Sequence, residues 1–434
     1  MAKIHGWGKY PTIETELYIA ESQEDLRQSV QNQPYLIARG LGRSYGDSAL
    51  GSYVTSLAKL RYLLDFDEMN GIVHCQSGVS FADLIESFLP RGWLPPVMPG
   101  TQYVTIGGAI ASDIHGKNHH QNGCISQYIL ALELLTADGT IIHCSKYDNR
   151  DVFYATCGGM GLTGIILSAK LQLKKIQSSL MNQVIHKCDD FDTLFETLSN
   201  NTSANYQHAW LDIHATNTTI GRGLVFTGEH SNEASLDIIK PKLISLPNIF
   251  PNYMINSTST KLFNQFYFAQ VKHKTHTRLI DYNQFFFPLD KIHGWNHLYG
   301  KPGFIQYHFV VPEASTKQAL ITILQKIKHS GYYSFLSVLK SFGGHNENYL
   351  SFPMKGYALA VDFKYHNGID EFLNQLDNLV HEVGGRIYLT KDARLNENFF
   401  KSSYPKLDQF MQVKQALDPD NKFISLQSKR LGIN

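Results

Sequence analysis

The sequence predicts an α+β protein of two or three domains, and three observations carry the prediction. The first 175 residues are short β-like runs punctuated by glycine, with helical patterns between some of them. After about Leu180 glycine thins out and the strands and helices lengthen. Residues 313–383 then hold two adjacent pairings of a strand with a helix, the pattern of a sheet with helices on one face. A chain of 434 residues suits this division, because single cores stop growing near about 250–300 residues.

In order, β-like runs fall at 35–38, 72–74, 129–136, 140–144 and 163–173, and helical patterns at 22–30 and 80–89. The second helix opens on Ser80, a good N-cap, with Asp83 three residues on. Residues 246–299 are strongly aromatic, with Phe250, Tyr253, Phe263, Phe266, Tyr267, Phe268, Phe285, Phe286 and Phe287 at no regular period. Two readings stay open there: a core strand with hairpins, or an apolar wall or lid for a greasy substrate. A helix at 313–329, strands at 332–339 and 357–365, and a helix at 369–383 follow. Gly384 and Gly385 end that helix as a C-cap pair, and a last helix lies near 405–417.

Composition narrows the class. Hydrophobic content of 43% against 18% charged describes a folded globular chain. A formal net charge of +1 gives no argument for nucleic acid. The five cysteines, Cys75, Cys124, Cys144, Cys157 and Cys188, form no CxxC pair and suit a reducing compartment. The first residues hold no apolar run of a signal peptide, and no stretch reaches the roughly 18 apolar residues of a membrane span. A cytoplasmic protein is expected, with any membrane contact made along its surface on the inner face.

Three glycine-rich segments carry the chemistry. Arg39, Gly40, Leu41, Gly42, Arg43, Ser44, Tyr45 and Gly46 follow the run at 35–38. Closely spaced glycines let backbone N–H groups turn inward onto a diphosphate, and Ser44 adds a hydroxyl. A dinucleotide fingerprint would have to open a helix, whereas residues 45–48 are turn-like. A plain loop remains the simpler alternative for this segment alone. The second segment holds Pro99, Gly100 and Thr101, then Gly107 and Gly108 in a run of small residues, then IHGKNHH at 114–120. The small run suits close approach to a flat ring. His115, His119 and His120 lack the glutamate of an HExxH site, so no metal is expected. The third segment, 158–165, includes Gly159, Gly161, Gly164 and Ile165. Three such loops near strands point to one extended ligand gripped by main-chain groups.

At these residues the chain resembles the FAD-binding half of the vanillyl-alcohol-oxidase flavoprotein superfamily, and within it a family of polyprenyl-phosphoryl pentose oxidases. The resemblance runs nearly end to end: ARGLGRSYGD at 38–47, IHGKNHH at 114–120, LLTADG at 134–139, GGMGLTGI at 158–165, AWLD at 209–212, GFIQYHFVVP at 303–312, YSFLSVLKSFG at 333–343, LSFP at 350–353 and YLTKDAR at 388–394. It implies a discontinuous FAD domain, 1–178 with 386–434, and an inserted substrate domain at 179–385 built on an antiparallel sheet with helices. Ser112, Ile114, His115, Gly116, Asn118 and Tyr388 would join the glycine loops around the flavin. Many superfamily members tether the flavin through a histidine in the first loop; Arg43-Ser44-Tyr45 stands there, so FAD is expected to be non-covalent.

The resemblance also implies the chemistry, oxidation of the 2′-hydroxyl of a polyprenyl-phosphate pentose to a ketone. That is the first half of an epimerisation in cell-envelope polysaccharide synthesis, completed by an NAD(P)H-dependent short-chain reductase. Lys391 is the candidate base, with His115 and Tyr45 beside the reacting centre; the plainer reading of Lys391 is a surface lysine paired with Asp392. A lysine acts as a base only when burial or neighbouring cations depress its pKa, and Lys117, Lys340 and Arg394 are the candidate neighbours. Lys117, Trp210, Tyr299, Gln306, His308, Lys340, Lys391 and Arg394 match the sugar pocket, although Trp210 is equally read as core. Three positions depart from close members of the family: Ala358 and Ala360 replace asparagine and cysteine, and His308 a glutamine. A polyol or aldonolactone oxidase and a non-catalytic flavin-binding module are the competing readings.

Overall fold

The computed structural model describes the chain apart from residues 217–218, 241, 248–253, 345 and 434. Two sheets organise the N-terminal part. One has four strands in the order Ala2–His5, Thr12–Ile19, Tyr53–Ser56, Ile37–Arg39. The other is antiparallel, in the order Leu63–Asp67, Ile72–Gln76, Ile165–Gln172, Ile129–Leu135, Ile141–Cys144. All five early β-like runs fall on these strands. Helices Gln23–Asn32 and Phe81–Phe88 start as expected, because Ser22 and Ser80 accept the N–H of Asp25 and Asp83 while those carboxylates bond back to the cap N–H.

The second part is an eight-stranded antiparallel sheet. Its order is Thr275–Asp281, Leu180–Cys188, Gly223–His230, Tyr206–Leu211, Ser337–Phe342, Gly356–Lys364, Phe304–Pro312, Arg386–Ile387. Side chains alternate across a strand, so register decides which residues share a face. Gln306 stands opposite Asp362 and His308 opposite Ala360. Lys340 stands opposite Ala358, and Val338 opposite both Ala360 and Trp210. The reverse face carries Tyr307, Phe309, Leu339, Leu359 and Val361, buried with Ile323 of helix Thr316–His329 and Leu373 of helix Ile369–Glu382. Helices therefore seal one face, and the polar positions of the other face meet the N-terminal part.

Two expectations need correction. Residues 246–299 are not mainly strand and hairpins: a helix, Ser257–Ala269, starts at Asn256, whose Oδ1 accepts the N–H of Thr258 and Ser259. Strand Thr275–Asp281 and helix Tyr282–Phe286 follow. The aromatic positions lack a period because they serve different cores. Phe285, Phe286 and Phe287 are buried with the N-terminal core, Phe268 packs with Trp210, and Phe263 and Phe266 stay exposed. Phe250 and Tyr253 lie outside the described residues. The strand expected at 332–339 begins only at Ser337, since local side chains take the backbone groups ahead of it. The Ser334 N–H bonds His214 Nε2 at 3.0 Å, and the Ser334 hydroxyl bonds the Leu336 carbonyl at 2.9 Å.

Replacing Ser80 by alanine removes the hydroxyl that accepts the Asp83 N–H and leaves the Ser80 N–H bonded to the Asp83 carboxylate. Urea unfolding should register a loss of about 1 kcal/mol.

Candidate functional site

The first two glycine segments form one cradle. The loop after Ile37–Arg39 stays irregular, with Gly42 at φ +66°, a conformation glycine adopts freely. The backbone N–H groups of Leu41, Gly42, Arg43 and Ser44 donate no hydrogen bond within the described residues. Arg39 braces the loop by donating to the carbonyls of His5 at 2.6 Å and Ala49 at 3.3 Å. The two segments touch, since a Cβ on Gly40 would stand 2.3 Å from Thr105 Oγ1. Gly100 has open space where its side chain would be, and Pro99 lies buried beside it. Amides without an internal partner on open backbone suit the diphosphate of FAD.

The rest of the glycine-rich sequence supports the cradle. Residues 106–111 form a short helix, Ile106–Ala111, instead of a flat wall. Its close approach is to Ser77, whose carbonyl accepts the Gly107 N–H at 2.8 Å; Gly108 is exposed. In the third loop the N–H groups of Gly158 and Met160 go to the carbonyls of Ile110 and Ala111. A Cβ on Gly159 would meet the Ala155 carbonyl at 2.1 Å, and one on Gly164 the Leu135 carbonyl at 2.6 Å. Ile165 is a fully buried core residue. Gly159 and Gly164 thus let backbone pass backbone beside the cradle, and Gly161 is half-buried. Gly116 is likewise enclosed, against Asn118 Oδ1 and the Met98 backbone. Asn118 anchors to the Pro96 carbonyl at 2.8 Å, and Ile114 is buried in the N-terminal core.

A cleft faces the cradle, floored by the polar side of the large sheet. Lys391 Nζ sits 3.5 Å from the centroid of the Tyr45 ring. Burial drives its pKa down to about 7, opposed by Asp362 and reinforced by Lys340. Burial pushes Asp362 up to about 7, against the pull of its Gln306 hydrogen bond and of Lys391. Gln306 donates to Asp362 Oδ1 at 2.6 Å and the Tyr299 hydroxyl to Oδ2 at 3.4 Å. Tyr45 is held as a neutral phenol, by burial first and by Asp362 second. Lys340, brought to about 8 by burial, makes no hydrogen bond or ion pair within the described residues. Lys117, brought to about 7 by burial and by Lys340, donates to the Phe285 carbonyl.

His115 is caged by rings. Phe342 lies 4.8 Å away, Tyr388 5.1 Å and His308 5.3 Å between centroids. The Tyr388 hydroxyl donates to the Ser112 carbonyl at 2.9 Å, tying the cage to the flavin side. Burial, with the nearby cation of Lys340, keeps both His115 and His308 neutral. Nδ1 of each ring is buried without a partner, so the pair retains hydrogen-bonding capacity for a bound molecule.

One cation fixes Lys391. Arg430 Nη2 lies 2.8 Å from both Asp47 Oδ1 and Asp392 Oδ2. Burial raises the Asp392 carboxyl, but Arg430 and the N–H groups of Arg394 and Leu395 outweigh it and leave Asp392 below its ordinary value. Asp392 is therefore engaged away from Lys391, and the surface-pair reading of that lysine fails. A Cβ on Gly46 would lie 1.8 Å from the Asp392 carbonyl oxygen, so only glycine lets the first loop reach this segment.

Arg394 is not part of the cleft. It pairs with Asp377 of helix Ile369–Glu382, on the sealed face where Tyr307 also bonds Asp377 at 3.0 Å. Trp210 lies on the cleft face but under helix Ser257–Ala269, in ring contact with Tyr267 at 4.8 Å. Tyr299 is fully buried and acts through Asp362. Sequence reading missed Asp362 and Arg430. Asp362 was findable, as a lone acid two residues past Ala360 in an apolar strand.

Comparison with known proteins agrees with this geometry. A family described as FAD binding domain matches residues 18–145, and one described as D-arabinono-1,4-lactone oxidase matches residues 299–431. Decaprenylphosphoryl-beta-D-ribose oxidase of Mycolicibacterium smegmatis is 36% identical over 99% of this chain and 97% of its own length. L-gulonolactone oxidase of Mus musculus is 24% identical over 98% of this chain and 96% of its own. Fold and site define an FAD-dependent oxidoreductase acting on CH–OH groups. The chain belongs to the decaprenylphosphoryl-β-D-ribose oxidase family within the vanillyl-alcohol-oxidase-type flavoproteins.

Arg430→Met leaves Asp47 and Asp392 buried without a counter-charge. Denaturant unfolding of this variant should show a loss of about 3–5 kcal/mol, and gel filtration should strip the flavin that the parent protein keeps.

Proposed function

We propose that this protein oxidises the 2′-hydroxyl of a polyprenyl-phosphate pentose to a ketone. The observation that carries the reading is the Lys391–Asp362 pair: a buried amine with a pKa near 7 over Tyr45, across from the backbone cradle. FAD, when bound, supplies the hydride acceptor. Lys391 Nζ takes the hydroxyl proton as the carbinol carbon becomes a carbonyl. Asp362, held by Gln306 and Tyr299, is the buried acid whose charge favours the protonated amine. Lys340 and Lys117 orient the sugar and its phosphodiester, and the cage around His115 and His308 keeps water out.

The substrate class rests on the similarity to the mycobacterial oxidase along almost the whole of both chains. The match of residues 299–431 to a lactone-oxidase family supports a second reading, an aldonolactone oxidase. The keto product requires a hydride donor to become the epimer, so a separate NAD(P)H-dependent short-chain reductase is its expected consumer. A polyprenyl substrate resides in a bilayer, which makes the inner membrane face the expected working place. Among the described residues no helix is long and apolar enough to cross a membrane.

Anaerobic mixing with prenyl-phosphoryl pentoses should bleach the flavin band, while aldonolactones should leave it. Bleaching by lactones alone would transfer the protein to the second reading. Only the neutral amine accepts a proton, so the bleaching rate should rise with pH through about 7, where Lys391 and Asp362 titrate together, and level off above. Lys391→Met should keep the yellow flavin and slow its reduction by roughly a hundredfold or more, with the pH limb gone. Unchanged reduction in this variant would remove Lys391 from the mechanism.

A further inference from the structure

One surface has a charge distribution unlike the rest of the molecule. The chain carries 39 basic and 38 acidic residues, yet residues 238–280 contain no aspartate or glutamate. The same span holds Lys240, Lys242, Lys261, Lys272, Lys274 and Arg278, all exposed. Two of the six have a side-chain contact elsewhere: Lys240 reaches Glu86 of helix Phe81–Phe88 at 3.4 Å, and Arg278 donates to Gln183. Among the described residues the other four are exposed and no carboxylate pairs with them.

The span also exposes apolar side chains that a soluble surface normally hides. Leu262 is 62% and Phe266 66% exposed, one turn apart on helix Ser257–Ala269. Leu243 and Ile244 are each 57% exposed and Leu279 43%. The opposite side of the helix buries Thr260, Asn264 and Phe268, so its outer apolar side is not needed for its own packing. Helix and cleft are continuous. Phe263 contacts Phe335 at 5.5 Å and Tyr267 contacts Trp210 at 4.8 Å, on the floor that leads to Lys340.

From this combination we infer that the described residues of this span, those of 242–247 and 254–280, form a docking surface for an anionic lipid bilayer, with the outer side of helix Ser257–Ala269 inserted at the headgroup boundary. Apolar side chains gain by leaving water, and the lysines gain from the negative surface potential. Neither feature alone specifies a membrane; together they exclude a strongly basic or purely polar partner. The inference rests on the polyprenyl-phosphate reading and gives it a route, because a lipid-linked sugar drawn from the bilayer enters the cleft past Phe263 and Phe335 without crossing water.

Vesicle co-sedimentation of the flavin-loaded protein tests it. Vesicles of phosphatidylcholine mixed with phosphatidylglycerol should bind the protein, and phosphatidylcholine alone should bind it at least tenfold more weakly. Leu262→Asp/Phe266→Asp should abolish sedimentation. Lys272→Gln/Lys274→Gln, which leaves the apolar side intact, should weaken it about thirtyfold, in line with the gain per cation near a charged surface. Both double variants should bleach as the parent does with a short-chain, water-soluble prenyl-phosphoryl pentose. Equal binding to both vesicle types, or unchanged binding by the lysine variant, would overturn the inference. So would absence of vesicle binding together with concentration-dependent dimerisation, which assigns the surface to a second copy of the chain. Vesicle binding without bleaching by any prenyl-phosphoryl pentose would instead sink the functional reading and leave the surface standing.

Discussion

A single guanidinium, that of Arg430, holds the active centre together. It joins Asp47, at the end of the first glycine loop, to Asp392, the residue after Lys391. Asp47 lies 383 residues from Arg430 and Asp392 lies 38 from it, and nothing local brings the three to one point. A buried cation between two carboxylates is unforgiving, since removing it leaves charge that the interior cannot solvate. That intolerance sets the distance between the backbone cradle and the amine that faces it. The C-terminal helix Leu426–Arg430 therefore belongs to the site although it lines no part of it.

The second constraint is the pleat of the large sheet. Alternation places Gln306, His308, Lys340, Ala358, Ala360 and Asp362 on one face, while their neighbours form the helix-backed core. Chemistry and stability are thereby separated by a single residue step. Burial of several lysines on the cleft side has one further effect. Burial lowers the pKa of Lys391 and of Lys117, and Lys340 adds to the effect at both, so each stands near 7. The alanines at 358 and 360 leave the floor small and apolar beneath that cluster, and His308 replaces a side-chain amide with a neutral ring.

Much of this was legible in the sequence, for identifiable reasons. The N-cap at Ser80 and the C-cap at Gly384 depend on neighbours within four residues, and they stand where expected. The strand pattern of the first 175 residues was equally local. The two-segment cradle was readable because glycines that serve a ligand cluster tightly. In the third glycine loop the letters do not show that Gly159 and Gly164 also let backbone pass backbone, which only their neighbours reveal. Arg394 misled through proximity in sequence to Lys391, when a bend puts it on the opposite face with Asp377. The helix Ser257–Ala269 was hidden by aromatic residues divided among separate cores. Arg430 was invisible because its role depends wholly on long-range contact.

The proposed proton transfer depends on Lys391 having a pKa lowered to about 7. The direct measurement is a pH titration of the Lys391 side-chain carbon by NMR, using protein carrying ¹³C-labelled lysine and assigned with Lys391→Met. A midpoint near 7 is the predicted result. A midpoint near the ordinary lysine value of about 10.4 would contradict it, and the proton would need another acceptor.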